Sequence, residues 1–176
     1  MLKAVCGLFA AILVTSLAGA ASAQVVNGDF EAGGGLAPWV GPSWSAAGMP
    51  RSGSTSAAIF CSAATCLDAG GASSLSQTVS VTPGASYTLS FWYLTSSAIG
   101  PFELQALWSN GAPTNGGAGT CSGSCVAQTT TSSGAWPAYV QVTQTVVATG
   151  PNMTLSFLGR DASGFVLIDD VSLTFL

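Results

Sequence analysis

Histidine is absent from the 176-residue chain, and Lys and Arg together number only three against seven Asp and Glu. Charged residues make up 6% of the sequence, where an ordinary soluble domain carries roughly a quarter. Each shortage removes a class of function. With a net charge of −4, the chain lacks the basic stripe that a nucleic-acid binder needs to neutralise phosphates. Without histidine it has no Ser-His-Asp triad and no imidazole metal ligand. Disorder is excluded from the other side: disordered chains are polar and highly charged, and 48% of this one is hydrophobic. What remains is rich in Gly, Ser, Thr and β-branched residues, a composition that leans to strands.

Residues 1–23 read as a secretory signal peptide. Lys3 is the positive start, residues 8–17 are mostly apolar, and Ala21-Ser22-Ala23 is a small-residue cleavage site before Gln24. The apolar stretch is short for a spanning helix, and no basic cluster follows it. The expectation is an exported protein, extracellular or periplasmic, whose mature chain is one domain over 24–176 without a membrane span. Its only cations are Arg51 and Arg160. Cys61, Cys66, Cys121 and Cys125 then sit in an oxidising compartment and are expected as disulfides. Three pairings are possible, and the short separations favour two local staples. A four-thiolate zinc site is the alternative, disfavoured by export and by intervals that are not the usual C-x2-C.

Period-two alternation recurs between Gly, Pro, Ser and Asn clusters. It predicts strands at 74–81, 86–94, 102–108, 139–148, 153–158 and 165–175, with shorter ones near 25–31, 57–61 and 126–131. No helical period appears after residue 23. Eight or nine short strands predict an all-β, two-sheet antiparallel sandwich.

One carboxylate breaks the pattern. Phe165, Leu167, Asp169, Val171, Leu173 and Phe175 alternate on one side of the last strand, so Asp169 is expected to point inward with apolar neighbours. An inward carboxylate is costly unless it is paired, heavily hydrogen-bonded or metal-bound. A calcium ion is one solution, with Asp29 and Glu31 supplying further charge. A place at the rim, accepting loop N–H groups, is the other.

Four segments in order carry a resemblance: Asn27-Gly-Asp-Phe-Glu31, Leu75-Ser-Gln77-Thr-Val-Ser-Val-Thr-Pro-Gly84, Ser86-Tyr-Thr-Leu-Ser-Phe-Trp92 and Ile168-Asp-Asp-Val-Ser-Leu173. Together they resemble secreted carbohydrate-binding modules of the family 4/9/22 type, a galactose-binding-like β-jelly roll. The resemblance spans essentially the whole mature chain. It implies a structural calcium held between the first and last strands, with Glu31 and Asp169 as ligands.

Catalysis lacks its parts. Glycoside hydrolysis needs two carboxyls across a cleft, and the only glutamates are Glu31 and Glu103. No mature Lys or His can serve as a base, so the chain is expected not to be an enzyme. Sugar binding needs only an aromatic platform with hydroxyl, amide or carboxylate groups nearby. Trp92 faces away from the apolar side of its strand with Thr88 and Ser90, as Glu103 and Gln105 do on the next. If those strands are neighbours, the three residues form one face for a polysaccharide or cell-surface glycan. Trp39, Trp44, Trp136 and Tyr139 flank Pro or loop sequence and are expected to pack at the rim. The rival function is an exported surface or matrix protein that uses the sandwich for protein contacts, since weak net repulsion favours self-association.

Overall fold

A computed structural model describes residues 24–68, 73–96, 101–114, 117–130 and 138–176. Residues 1–23, read above as a signal peptide, the Gly70-Gly71 loop and Trp136 lie outside them. The strands are β1 (Trp44–Ala47), β2 (Ser56–Ile59), β3 (Ser74–Ser80), β4 (Ser86–Thr95) and β5 (Phe102–Ser109). They continue with β6 (Cys125–Thr129), β7 (Val140–Val147), β8 (Asn152–Asp161) and β9 (Val166–Phe175). All paired strands are antiparallel, in a five-stranded sheet of order β1-β2-β9-β4-β7 and a four-stranded sheet of order β3-β8-β5-β6. The fold is a jelly-roll sandwich, as expected. No helix among the described residues is long and apolar enough to cross a membrane.

The alternating residues close one core between the sheets. Tyr87, Leu89, Phe91 and Tyr93 of β4 meet Phe102, Leu104, Ala106 and Trp108 of β5, and Met153, Leu155 and Phe157 of β8 join them. The Phe91 and Phe157 rings meet edge-on, with centroids 4.9 Å apart. Trp39 and Trp44 belong to this core rather than to the rim. Their flanking loops suggested the opposite, but each indole N–H finds a carbonyl, Asn27 for Trp39 and Ser73 for Trp44. A satisfied indole can be fully buried. Tyr139 is half-buried and packs against a small apolar cluster of Ala58, Leu94 and Leu167 on the far side of the five-stranded sheet.

Two local expectations fail for backbone reasons. Residues 25–31 form a turn, not a strand. Asn27, at φ 53°, accepts the Ala32 N–H and donates to the carbonyls of Gly35 and Ala37, the local competition by which Asn diverts a chain from strand pairing. The alternation across 165–175 also breaks, because β9 carries a bulge. Ser90 pairs with Ser172 but Trp92 with Asp169, so β9 holds one residue more than β4 in that interval. Asp170 takes it up at φ 48°. One extra residue reverses the side on which every later side chain falls. Val166, Ile168, Val171 and Leu173 therefore face the core, whereas Leu167 and Asp169 lie on the outer side.

Cys61 is bonded to Cys66 and Cys121 to Cys125. Native alkylation of the oxidised mature chain should label none of the four; mass spectra showing labelled thiols would contradict this. Each staple closes a very short loop, and reducing one should cost on the order of 2 kcal/mol.

Candidate functional site

The bulge fixes what surrounds Trp92. Trp92 lies across from Asp169 on one side and Gln141 on the other, and in the next row Ser90 lies between Ser172 and Thr143. Thr88, Thr174 and Thr145 follow. The outer side of the five-stranded sheet is thus a field of hydroxyl and amide groups ending at one half-buried indole. Gln141 donates to the Ser90 hydroxyl at 2.9 Å.

Arg51 covers part of that indole. Its guanidinium carbon stands 4.2 Å from the ring centroid, and Nη1 meets Asp170 Oδ2 at 2.9 Å. Its backbone N–H donates to Asp169 Oδ2 at 2.7 Å. The Asp170 bond thus holds the guanidinium over the ring while the Asp169 bond fixes the Arg51 backbone, a cation–π arrangement. Beside it opens a polar cleft of about 450 Å³ lined by Asn27, Asp29, Arg51, Asp170 and Ser172. Such a volume is in the range of small-ligand clefts.

Asp169 is fully buried although it sits on the outer side of its sheet. The loop between β1 and β2 covers it, and its oxygens accept the N–H groups of Arg51, Ser52 (3.3 Å) and Asp170 (2.8 Å). Glu31 grips the same loop further along: Oε1 accepts Ser54 and Thr55 N–H at 2.8 and 2.6 Å, and Oε2 the Ser54 hydroxyl at 2.7 Å. Gly53, at φ 67°, makes the tight turn between the two grips. Asp29 joins neither; its Oδ1 faces the Glu31 N–H at 3.4 Å, and it lines the polar cleft instead. Among the described residues no three acidic or thiol groups form a metal cluster. Glu31 and Asp169 each turn their oxygens toward N–H or O–H donors, an arrangement that suits those donors and does not fit a cation.

The two carboxylates titrate in opposite directions. Burial pushes Asp169 up to about 6 from 3.8, against three backbone N–H bonds that lower it and with Asp170 adding to the rise. The folded chain therefore holds this proton more tightly than the unfolded one. The stability linked to Asp169 is fully present below about pH 4 and is lost as pH rises through about 6. Glu31 is lowered by its bonds to the Ser54 side chain and to the Ser54 and Thr55 backbone, so its contribution is present at neutral pH and lost on acidification. The melting temperature of Asp169→Asn should accordingly depend less on pH between 4 and 7 than that of wild type. Parallel curves would refute the assignment.

Glu103 and Gln105 are not on the Trp92 face. β4 and β5 lie in different sheets, so their outer faces look in opposite directions. Both residues do point away from the core, as the alternation predicts, but neither is open: Glu103 is 5% exposed and Gln105 is fully buried. The loop after β5 lies over them. Glu103 accepts the Gly119 N–H on both oxygens at 2.9 and 2.8 Å, and Gln128 and Gln105 amides at 2.6 and 2.7 Å. Gln105 also donates to the Gly117 carbonyl. Arg51, Asp170, Gln141 and Ser172 are what the sequence reading missed. The one available signal was that Arg51 is one of two cations after residue 23 in a chain whose carboxylates need partners.

No family model matches the chain, and no curated protein matches it. Solved structures do. They include a family 61 carbohydrate-binding module in complex with β-1,4-galactotriose (TM-score 0.57, 15% identity, covering 86% of this chain and 97% of that one). A family 16 carbohydrate-binding module is similar at TM-score 0.56 and 14% identity, covering 85% and 97%. The xylan-binding CBM22-1 domain of Paenibacillus barcinonensis Xyn10C follows at 0.52 and 14%, covering 78% and 85%. The chain has a carbohydrate-binding-module-like jelly roll. At such identities the likeness is one of fold, and it spreads over several families rather than singling out the 4/9/22 type.

Proposed function

We propose that this protein binds a polysaccharide without cleaving it, through the outer side of the five-stranded sheet at Trp92. The observation that carries the reading is the indole held by Arg51 at the end of rows of Ser, Thr and Gln side chains. A sugar ring has an apolar C–H face and a rim of hydroxyls. The part of the indole that Arg51 leaves open offers the first a flat surface, and Gln141, Ser90, Ser172 and Asp170 offer the second both donors and acceptors. The fold likeness supports the same class of ligand. Glu103 and Gln105 are better read as anchors of the covering loop than as ligand contacts. Glu31 and Asp169 are read as acceptors that fasten the 51–55 loop, and so position Arg51, in place of the expected calcium ligands. Such a shallow, wet face buries little area and pays ordering costs, so affinity per site should be weak.

Tryptophan fluorescence during titration with soluble glucans, xylans and galactans tests this, with a reducing-end assay run on the same mixtures. Saturable quenching by at least one polymer and no new reducing ends are expected. New reducing ends, or no response to any glycan, would overturn the reading. A structural role has one observation in its favour: β7 is an edge strand of eight residues without a charge or a proline, the kind of edge that pairs with a second chain. Concentration-dependent oligomers with no glycan response would favour it.

A further inference from the structure

The cleft beside Arg51 holds polar groups that the Trp92 site leaves unused. Its wall is fixed by a close contact between the N-terminal turn and β9. The Val171 N–H donates to the Gly28 carbonyl at 2.8 Å, and any side chain at Gly28 would strike the Val171 carbonyl. Asp29 is thereby set into the same cleft as Arg51, Asp170 and Ser172. Its carboxylate is exposed, and among the described residues one long contact to the Glu31 N–H, at 3.4 Å, engages it. Arg51 meets Asp170 through Nη1, and its other guanidinium N–H groups have no acceptor among the described residues. The Ser172 hydroxyl is exposed and equally unengaged there. Asn27 adds nothing, since its amide already bonds Ala32, Gly35 and Ala37. The charges do not cancel. Asp170 is paired with Arg51, which leaves Asp29 as an unpaired negative charge in a chain of net charge −4.

We infer that this cleft is a second subsite, which takes the next unit of a glycan lying on Trp92 and restricts the ligand to neutral, hydroxyl-rich polysaccharides. The inference rests on the glycan-binding reading above. Asp29 only accepts and calls for hydroxyl donors; Arg51 only donates and calls for an oxygen; Ser172 takes either role. A sugar unit with neighbouring hydroxyls supplies both. Hydrogen bonds to ionised groups are roughly twice as strong as neutral ones, so Asp29 and Arg51 contribute more than the hydroxyl rows of the sheet. A uronate or sulfate group would instead bring its charge against Asp29 and Asp170, with the one cation of the cleft already paired. The two subsites adjoin. Ser172 lies across from Ser90, two residues along β4 from Trp92, and neighbouring strands are about 4.8 Å apart. Arg51 belongs to both, stacked on the ring and lining the cleft.

The test is affinity electrophoresis in paired polymers: hydroxyethylcellulose beside carboxymethylcellulose, arabinoxylan beside glucuronoxylan, and galactan beside sulfated galactan. Wild type should be retarded by the neutral member of at least one pair, and roughly tenfold less strongly by its anionic partner. Asp29→Asn alters an exposed side chain and should fold. It should weaken binding of the neutral polymer roughly fivefold or more, the loss expected when a charged acceptor is replaced by a neutral one, and should narrow the gap between the two members. Asp68→Asn is the control for overall charge. Asp68 is exposed beside Leu67, which packs on Leu107 and Leu158 of the four-stranded sheet, and its substitution should change neither quantity. Retardation that is lost in Trp92→Ala but unchanged in Asp29→Asn overturns this inference and leaves the Trp92 reading standing. So does wild type bound equally well by the anionic member, or an Asp68→Asn effect as large as that of Asp29→Asn. No retardation by any polymer overturns both.

Discussion

Asp169→Ala should lower the melting temperature by several degrees. The substitution leaves the N–H groups of Arg51, Ser52 and Asp170 without their acceptor. A buried donor left unsatisfied costs about 1–3 kcal/mol, and relief of the desolvated carboxylate offsets part of the loss. A net of about 2 kcal/mol corresponds to roughly 4–8 °C for a chain of this size. The change reaches function as well as stability. The 51–55 loop carries Arg51, so its release should uncover Trp92 and raise that residue's solvent accessibility in fluorescence quenching. Since the oxygens are engaged by N–H donors, wild type should melt at the same temperature in chelator and in millimolar calcium. A calcium-dependent rise, abolished by Asp169→Ala, would show that the loop rearranges around an ion.

On the opposite sheet, Glu103→Ala should release the loop that covers β5. Glu103 takes both contacts from the Gly119 N–H and one each from Gln105 and Gln128, and alanine removes the acceptor of all three, leaving Gln105 its bond to the Gly117 carbonyl. The expected loss is again about 1–3 kcal/mol. The diagnostic readout is local: the Gly119 amide, protected in wild type, should exchange orders of magnitude faster, while the β8 amides of Leu155 and Phe157 change only with global stability. The Cys121–Cys125 bond keeps one side of the loop attached, so the release is confined. Equal protection of Gly119 in both proteins would mean that the loop is held by something else.

The strands were legible because their side chains alternate where one face is buried. β3, β4, β5, β7, β8 and β9 all fall within a few residues of the expected spans, and the outward direction of Trp92, Glu103 and Gln105 follows from the same alternation. Which sheet each strand joins does not. The connection between β4 and β5 crosses from one sheet to the other, and no residue in the sequence marks such a crossing. That crossing separates Trp92 from Glu103 and Gln105. Asp169 teaches a second limit: alternation holds only until a bulge, and the Asp170 backbone that makes one has no apolar signature. The inward reading reached the right conclusion, a buried carboxylate needing partners, from the wrong face. Trp39 and Trp44 were misplaced for the complementary reason. Loop composition says where the chain turns, not whether an indole on the turn can find a carbonyl inside.

The central claim is that the Trp92 face binds a polysaccharide, and affinity electrophoresis of wild type beside Trp92→Ala tests it most directly. Gels containing soluble glucan, xylan or galactan should retard wild type with at least one polymer. Trp92→Ala, folded to the same circular dichroism spectrum, should run as it does in a polymer-free gel, having lost the stacking surface that supplies most of a weak interaction. A folded Trp92→Ala that is retarded as strongly as wild type would contradict the account.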